Sequence, residues 1–156
     1  MAEEKQPSFT AREALFYHET IRPGKIEIIA SKHGPLDQST TARALGELYD
    51  FGLRPDWWKL EPQPDAIAWE AVDAVIERRD RHCRGVVMLG LDAPMEELRA
   101  GFAVARAART VRGFAIGRTI FADAAKAWFA GEMDDDAAVA DMAERFRALV
   151  NVWEGR

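Results

Sequence analysis

The feature that most constrains the fold of this chain is a regular alternation of short β-branched segments with longer helix-forming segments. Strand-like segments begin near residues 25, 56, 85 and 111, and each is followed by a loop and an amphipathic stretch. Strands and helices that alternate in this way form right-handed βαβ units around a parallel sheet. The sequence therefore predicts an α/β fold built from four βα units.

Proline, glycine and aspartate residues set the limits of the predicted elements, because they interrupt or cap regular structure. Asp37 and Asp65 are the predicted N-caps of two helices. Predicted strands cover residues 25–30, 56–61, 85–91 and 111–117. Predicted helices cover residues 9–21, 38–51, 65–81, 94–109 and 119–130, and a last helix starts at residues 134–136, with Val139, Met142, Phe146, Leu149 and Trp153 on its apolar stripe. Residues 1–8 are predicted to be a flexible tail, and residues 9–156 a single domain.

The number of units leaves two architectures open. Four βα units are half of an eight-unit (β/α) barrel, which needs about 250 residues, whereas this chain has 156. The sequence spacing therefore allows either a small open α/β sheet or a half-barrel that another chain completes.

The composition supports one compact domain and argues against several functions. Hydrophobic residues make up 48% of the chain, enough for a substantial core and too many for a disordered protein. Acidic residues outnumber lysine and arginine by 26 to 21, and this net charge of -5 argues against binding to nucleic acid or anionic membranes. No apolar run reaches the roughly 18 residues of a membrane span, and the start lacks a signal pattern.

The few cysteine and histidine residues favour a reducing compartment without metal chemistry. Cys83 is the single cysteine, so no internal disulfide can form. His18, His33 and His82 are scattered and lack metal-ligand spacing. We therefore expect a cytoplasmic protein with neither a metal nor another cofactor.

Lys59 is the most unusual polar residue, because it stands in the middle of a predicted strand. The period of two along the strand places Lys59 and Glu61 on one face of the sheet. In a closed barrel this face is the interior, where desolvation favours the neutral amine that Schiff-base chemistry requires, and Glu61 could move protons. The spacing by itself favours a simpler alternative, a plain ion pair or an exposed edge-strand lysine.

Three further polar residues lie where ligands of parallel sheets bind, at or beyond the carboxyl ends of strands. Glu27 is inside an apolar strand and needs either a partner, such as Lys59 or Lys32, or a position facing solvent. Lys32 and Asp92 lie in the loops after the first and third strands, and both are candidates for substrate contact. A simpler role for Asp92 is to start the helix near Pro94.

The segment at residues 113–119 predicts a phosphate site. It ends the fourth strand and opens a helix, so backbone N–H groups, the close approach that Gly117 permits and the Arg118 guanidinium can converge on one anion. It is neither a dinucleotide-binding fingerprint nor a P-loop, so it does not indicate a nucleotide site. The alternative is a tight turn with a solvated arginine.

Three segments together resemble a known family. They are RPDWWKLEP at residues 54–62, RGVVMLGLDAP at residues 84–94 and GFAIGRTIF at residues 113–121. In this order they resemble the C-terminal part of the 2-deoxy-5-keto-D-gluconate-6-phosphate aldolase-like domain of bacterial inositol catabolism, which is often fused behind a 5-dehydro-2-deoxygluconokinase. The resemblance runs from about residue 25 to residue 153.

This resemblance implies a class I aldolase on a (β/α) barrel, with a Schiff-base lysine on the sixth strand and a phosphate held after the seventh and eighth. The matching positions are Lys59 for the lysine, and Gly117 and Arg118 for the phosphate. The implied reaction cleaves 2-deoxy-5-keto-gluconate 6-phosphate to dihydroxyacetone phosphate and malonate semialdehyde without a cofactor. Glu61 or Glu27 would move the protons.

The chain departs from that family in length, since the four earlier βα units are absent from it. A half-barrel leaves two strand edges and one face of inward side chains uncovered, and both drive association. We therefore expect a homodimer, or a complementing chain that supplies the other half. The alternative is a noncatalytic sugar-phosphate-binding or accessory module that keeps the phosphate site without the chemistry.

Overall fold

The computed structural model describes residues 24–156, and in it four strands alternate with helices. The strands are β1 (Lys25–Ile28), β2 (Trp57–Leu60), β3 (Gly85–Met88) and β4 (Val111–Phe114). A 3-10 turn (Ala30–His33) follows β1, and the helices are α1 (Thr40–Asp50), α2 (Ala66–Arg79), α3 (Met95–Ala105), α4 (Arg118–Phe129) and α5 (Asp135–Glu154). The predicted tail at residues 1–8 and the predicted helix at residues 9–21 lie outside the described residues.

The four strands lie in the sheet in chain order, and each neighbouring pair is parallel. A doubly wound fold reverses its strand order at a switch point, whereas consecutive units of a (β/α) barrel follow one another without reversal. The predicted α/β class and the four βα units are therefore confirmed, and the topology is consistent with half of a barrel. Within residues 24–156 the sheet is open, with β1 and β4 at its edges.

Helices cover one face of this sheet. Fully buried side chains of β2 and β3 pack there against apolar side chains of α1, α2, α3 and α5. The strand residues are Trp58, Leu60, Val86 and Met88, and the helix residues include Leu45, Trp69, Val72, Phe102 and Leu149. Lys59 and Val87, at the alternating positions, remain partly exposed. The second face of the sheet is thus the more accessible one.

Three aspartates start helices, as the sequence predicts. Asp65 and Asp134 accept hydrogen bonds from the N–H groups of Ala68 and Ala137. Asp37 acts from further upstream than predicted, because α1 begins at Thr40 and Asp37 accepts the amides of both Ser39 and Thr40. Hydrogen bonds from the Thr40 hydroxyl and from Ser39 hold the pKa of the Asp37 carboxyl well below its usual range.

Several predicted elements extend too far at their carboxyl ends. β3 ends at Met88 because a turn with left-handed backbone at Leu91 and Asp92 follows it. β4 ends at Phe114, three residues before its predicted end. α3 was predicted to reach residue 109 and ends at Ala105, since hydrogen bonds to another helix hold the segment that follows.

The apolar stripe predicted for α5 is wrong at two positions. Val139 and Phe146 are 62% and 49% exposed, whereas Ala138, Leu149 and Val152 are buried. α5 packs against both α4 and α3, so its buried residues follow the groove between two neighbours. The sequence pattern of a single helix does not contain the direction of that groove.

A buried carboxylate fixes the connection between α3 and β4. Asp73 in α2 is 1% exposed and accepts the Arg109 amide at 2.7 Å, the Thr110 amide at 3.0 Å and the Thr110 hydroxyl at 2.6 Å. The Arg109 guanidinium also forms a two-bond ion pair with Glu77, one turn further along α2. The start of β4 is therefore tied to a helix that lies three elements earlier in the chain.

Replacement Asp73→Ala should lower the free energy of unfolding by about 3 kcal/mol, because it leaves three donors without their buried acceptor. Urea denaturation measures this change. The matched control is Glu70→Ala on the exposed side of the same helix, which should stay within about 0.5 kcal/mol of the parent chain. A loss for Asp73→Ala as small as that of the control would contradict this role.

Tyr49 and Trp58 form a second buried polar contact beneath the sheet. The Trp58 indole N–H donates to the Tyr49 hydroxyl at 2.7 Å, and the rings meet edge to face at 5.4 Å. Burial raises the pKa of Tyr49 above its ordinary value of 10.0. The folded chain therefore keeps this proton at a pH where the unfolded chain loses it.

Replacement Tyr49→Phe should destabilise the chain by about 1 to 2 kcal/mol near neutral pH, because the buried Trp58 donor loses its acceptor. Above about pH 10 the folded state binds more protons than the unfolded state, so the parent chain loses stability as the pH rises. The stability difference between parent and variant should then shrink in denaturant titrations at increasing pH. A difference that stays constant up to pH 11 would show that Tyr49 ionises freely in the fold.

Candidate functional site

A small cavity lies at the carboxyl ends of the strands, where ligands of parallel sheets bind. Its volume is about 200 Å³. Its walls come from all four strands or the loops that follow them, and the candidate residues among them are Glu27, Lys59, Asp92, Gly117 and Arg118. The fold thus brings together five of the seven predicted site residues, and these five come from all four βα units of the sequence.

Lys59 and Glu27 form an ion pair in the wall of this cavity. They face each other in the register of β1 and β2, and the Lys59 Nζ atom lies 2.6 Å from the Glu27 Oε2 atom. Their side chains are 19% and 39% exposed. The sequence analysis allowed Glu27 to pair with Lys59, to pair with Lys32 or to face solvent. The structure shows that its partner is Lys59. Glu27 is thereby within reach of any proton that the Lys59 amine releases.

The position of Lys59 follows from the alternation of its strand. Trp58 and Leu60 on either side point into the helix-covered core and are fully buried. A residue between them must emerge on the other face of the sheet. An ion pair on a half-buried face is more strongly coupled than one on the surface, since less solvent screens it. The core packing of its neighbours therefore aims this lysine into the cavity.

The start of α4 forms another part of the cavity wall. Gly117 precedes the helix, and a Cβ atom at this position would approach the Phe121 ring to 3.1 Å. The first N–H groups of any helix have no partner within the helix and carry partial positive charge. The buried Thr119 hydroxyl also has no hydrogen-bond partner among residues 24–156. These donors, together with Arg118, form a group suited to an anion.

Arg118 is held by Asp92, whose Oδ2 atom lies 2.7 Å from the Arg118 Nη1 atom. Asp92 and Leu91 both have positive φ, at 58° and 50°. Residues other than glycine rarely adopt this left-handed conformation, and such strained positions cluster at functional sites. The simpler role predicted for Asp92, at the start of α3, does not account for its contact with Arg118.

Two predicted site residues lie outside this cavity. Glu61 follows β2, is 2% exposed and accepts the Ser31 amide at 3.0 Å. It lines a neighbouring cavity of about 710 Å³, which shares the wall at Gly90, Leu91 and Asp92. Lys32 is exposed in the 3-10 turn after β1 and is not part of the cavity wall. Of the three predicted carboxylates, only Glu27 contacts Lys59, because β2 ends before Glu61 can continue the alternation.

The structure also gathers arginines that the sequence analysis did not single out. A larger cleft at the amino ends of β2 and β3 is lined by Arg54, Arg78, Arg79, Arg81 and Arg84. The overall negative charge conceals this local excess. The signal was present in the sequence, because the segment at residues 78–84 contains four arginines in seven positions.

Metal binding and membrane crossing find no support in the part of the chain that the structure describes. No group of three or more histidine, cysteine, aspartate or glutamate side chains is arranged there to hold a metal ion. None of the helices in this part combines the length and the apolar character needed to cross a bilayer.

Comparison with known proteins places the chain in a family without assigning it an activity. No curated protein matches the chain. A family model described as an uncharacterized protein conserved in bacteria, DUF2090, matches residues 18–156. This match includes every strand and helix that the structure describes and every residue of the cavity. The chain therefore belongs to the DUF2090 family of bacterial proteins.

Proposed function

We propose that this chain is a Schiff-base lyase that cleaves a phosphorylated keto sugar acid. One observation carries the proposal: a single cavity contains a lysine with a carboxylate at 2.6 Å and an arginine beside the start of a helix. A nucleophilic amine, a proton acceptor and a phosphate-binding group are the parts that a class I aldolase needs. The resemblance to the aldolase-like domain supports 2-deoxy-5-keto-gluconate 6-phosphate as substrate and inositol catabolism as pathway.

The first half of the proposed reaction forms a covalent intermediate. Glu27 accepts a proton from the Lys59 ammonium group, with which it is already in contact. The free amine adds to the ketone carbon of the substrate. Glu27 then returns its proton to the carbinolamine hydroxyl, which leaves as water and gives an iminium ion. The bond that breaks joins the carbon next to the iminium carbon to the hydroxyl-bearing carbon beyond it, so the iminium can accept its electron pair.

The second half releases two products. The electron pair of the breaking carbon–carbon bond moves toward the iminium nitrogen, and the adjoining hydroxyl gives its proton to Glu27. Malonate semialdehyde leaves, and an enamine remains on Lys59. Glu27 passes the same proton to the enamine carbon, which gives a second iminium ion. Addition of water to this iminium ion releases dihydroxyacetone phosphate and restores the amine. No cofactor takes part in these steps.

The phosphate is proposed to bind at the start of α4. Arg118, the N–H groups near Gly117 and the Thr119 hydroxyl can all donate to its oxygens. Arg118 is 68% exposed, so an incoming phosphate can reach its guanidinium without displacing the ion pair with Asp92. Asp92 then positions the guanidinium rather than binding substrate itself.

We further infer that a second copy of the chain, or a complementing half-barrel chain, covers the open face of the sheet. The open edges β1 and β4 and the half-buried Lys59 face support this inference. A covered face would exclude water from the cavity and shield the Lys59–Glu27 pair. The single cysteine supports a cytoplasmic location.

A noncatalytic sugar-phosphate-binding module is the second candidate function. It is favoured by the Lys59–Glu27 contact, since a lysine held in an ion pair can serve the sheet without reacting. In this case the start of α4 still binds phosphate, and Lys59 forms no adduct.

Incubation with dihydroxyacetone phosphate and borohydride should add one reduced adduct per chain, and peptide mapping should place it on Lys59. Borohydride reduces the iminium ion and so fixes the ligand to the lysine that formed it. Intact-mass spectrometry measures the adduct, and native mass spectrometry of the same sample reports whether the modified species is a dimer.

The matched controls for this trap are two conservative lysine variants. Lys59→Arg keeps a cation beside Glu27 and should lose the adduct, whereas Lys25→Arg on the neighbouring strand should retain it. An adduct absent from every lysine of the parent chain would rule out the Schiff-base mechanism and leave the binding module.

Replacement Arg118→Ala should weaken the binding of dihydroxyacetone phosphate by about tenfold or more, because a charge-assisted hydrogen bond to phosphate is lost. Isothermal titration calorimetry measures the affinity. Arg99→Ala, an exposed arginine on α3, is the control and should bind as the parent chain does. Lys59→Arg should retain the affinity within a few-fold, and unchanged affinity in Arg118→Ala would refute the phosphate site.

A further inference from the structure

A second cleft lies at the opposite end of the sheet from the Lys59 cavity. It has a volume of about 750 Å³ and is formed by the loop before β2 and by the end of α2 with the loop that follows it. Five arginines line it, together with three carboxylates. The balance of these charges depends on which of them already have partners.

Two of the lining charges are neutralised by groups outside the cleft. Both oxygens of the Glu77 carboxylate accept bonds from Arg109 at 2.9 Å. The Arg79 guanidinium lies 2.7 Å from Asp50 at the end of α1. These two pairs cancel one negative and one positive charge of the cleft, so they leave its balance unchanged.

The remaining carboxylates are fewer than the remaining arginines. Asp56 lies 3.8 Å from Arg84, at the limit of an ion pair. Asp80 uses one oxygen to accept the amide of His82. Arg54, Arg78, Arg81 and Arg84 thus face two carboxylates.

Three of the cleft arginines have no carboxylate partner among residues 24–156. Arg54 stacks on the Tyr49 ring and donates only to the carbonyl groups of Tyr49 and Leu53. Arg78 and Arg81 are exposed and form neither an ion pair nor a side-chain hydrogen bond within the described part. The negative end of the α2 dipole offsets about half of one charge. A net positive charge remains in the cleft of a chain whose net charge is -5.

We propose that this cleft binds a small polyanion with at least two adjoining phosphate groups. Guanidinium groups bind phosphate through paired hydrogen bonds, and arginines from two sides of one cleft can engage neighbouring phosphates together. A small ligand is favoured over a long nucleic acid, because the positive charge is confined to the cleft and acidic residues outnumber lysine and arginine by 26 to 21 in the whole chain. The proposal does not depend on lyase activity.

The test is isothermal titration calorimetry of the full chain with sodium pyrophosphate at low ionic strength. The double variant Arg78→Gln/Arg81→Gln should bind pyrophosphate at least about tenfold more weakly than the parent chain. The matched control is Arg99→Gln/Arg147→Gln, which removes the same charge outside the cleft and should bind as the parent does. Added sodium chloride should lower the affinity of the parent chain.

Further titrations test whether the measured binding comes from another site or another kind of ligand. Arg118→Ala should retain pyrophosphate binding, so a loss in that variant would assign the anion to the α4 site and overturn the proposal. Equal losses in the two double variants, or no binding at millimolar pyrophosphate, would also overturn it. If a single-stranded oligonucleotide binds more tightly than pyrophosphate, and the Arg78→Gln/Arg81→Gln variant loses this binding, the ligand is a nucleic acid and the small-polyanion proposal is wrong.

Discussion

The packing of one sheet face against the helices is the constraint on which the rest of the molecule depends. Trp58 and Leu60 are fully buried there, and Val86 and Met88 of the next strand extend the same layer. Because side chains alternate along a strand, burying these residues forces Lys59 to the opposite face. The apolar core therefore selects which polar residue is available for chemistry, and a change of register by one residue would bury the lysine instead.

Parallel strands give the two ends of this sheet different electrostatic character. At the carboxyl ends, Lys59 pairs with Glu27 and Arg118 with Asp92, so each cation of the cavity meets a carboxylate. At the amino ends, the arginines of the cleft outnumber the carboxylates that residues 24–156 place beside them. A paired lysine suits proton transfer within a confined site, whereas unpaired arginines suit capture of an anion from solution. The family match covers both ends and assigns a function to neither.

Local sequence patterns predict much of the fold. Asp65 and Asp134 are read as helix starts because a side-chain cap involves only residues within one turn, and both act in this way. The ends of β3 and α3 were predicted less well, since a strained turn at Leu91 stops one and bonds to Asp73 stop the other. Neither cause has a signal in the neighbouring sequence. The Asp73 bonds join residues more than thirty positions apart.

The sequence by itself determined the α/β class, the four repeated units and the concentration of candidate residues at the carboxyl ends of strands, because these follow from periodicity and from the chirality of the chain. Only the tertiary structure decided that Glu27 rather than Glu61 contacts Lys59, and that Asp92 holds Arg118. Those pairings depend on the register between strands and on where each strand stops. Register is fixed by the packing of the whole sheet and helix layer, which no local segment encodes.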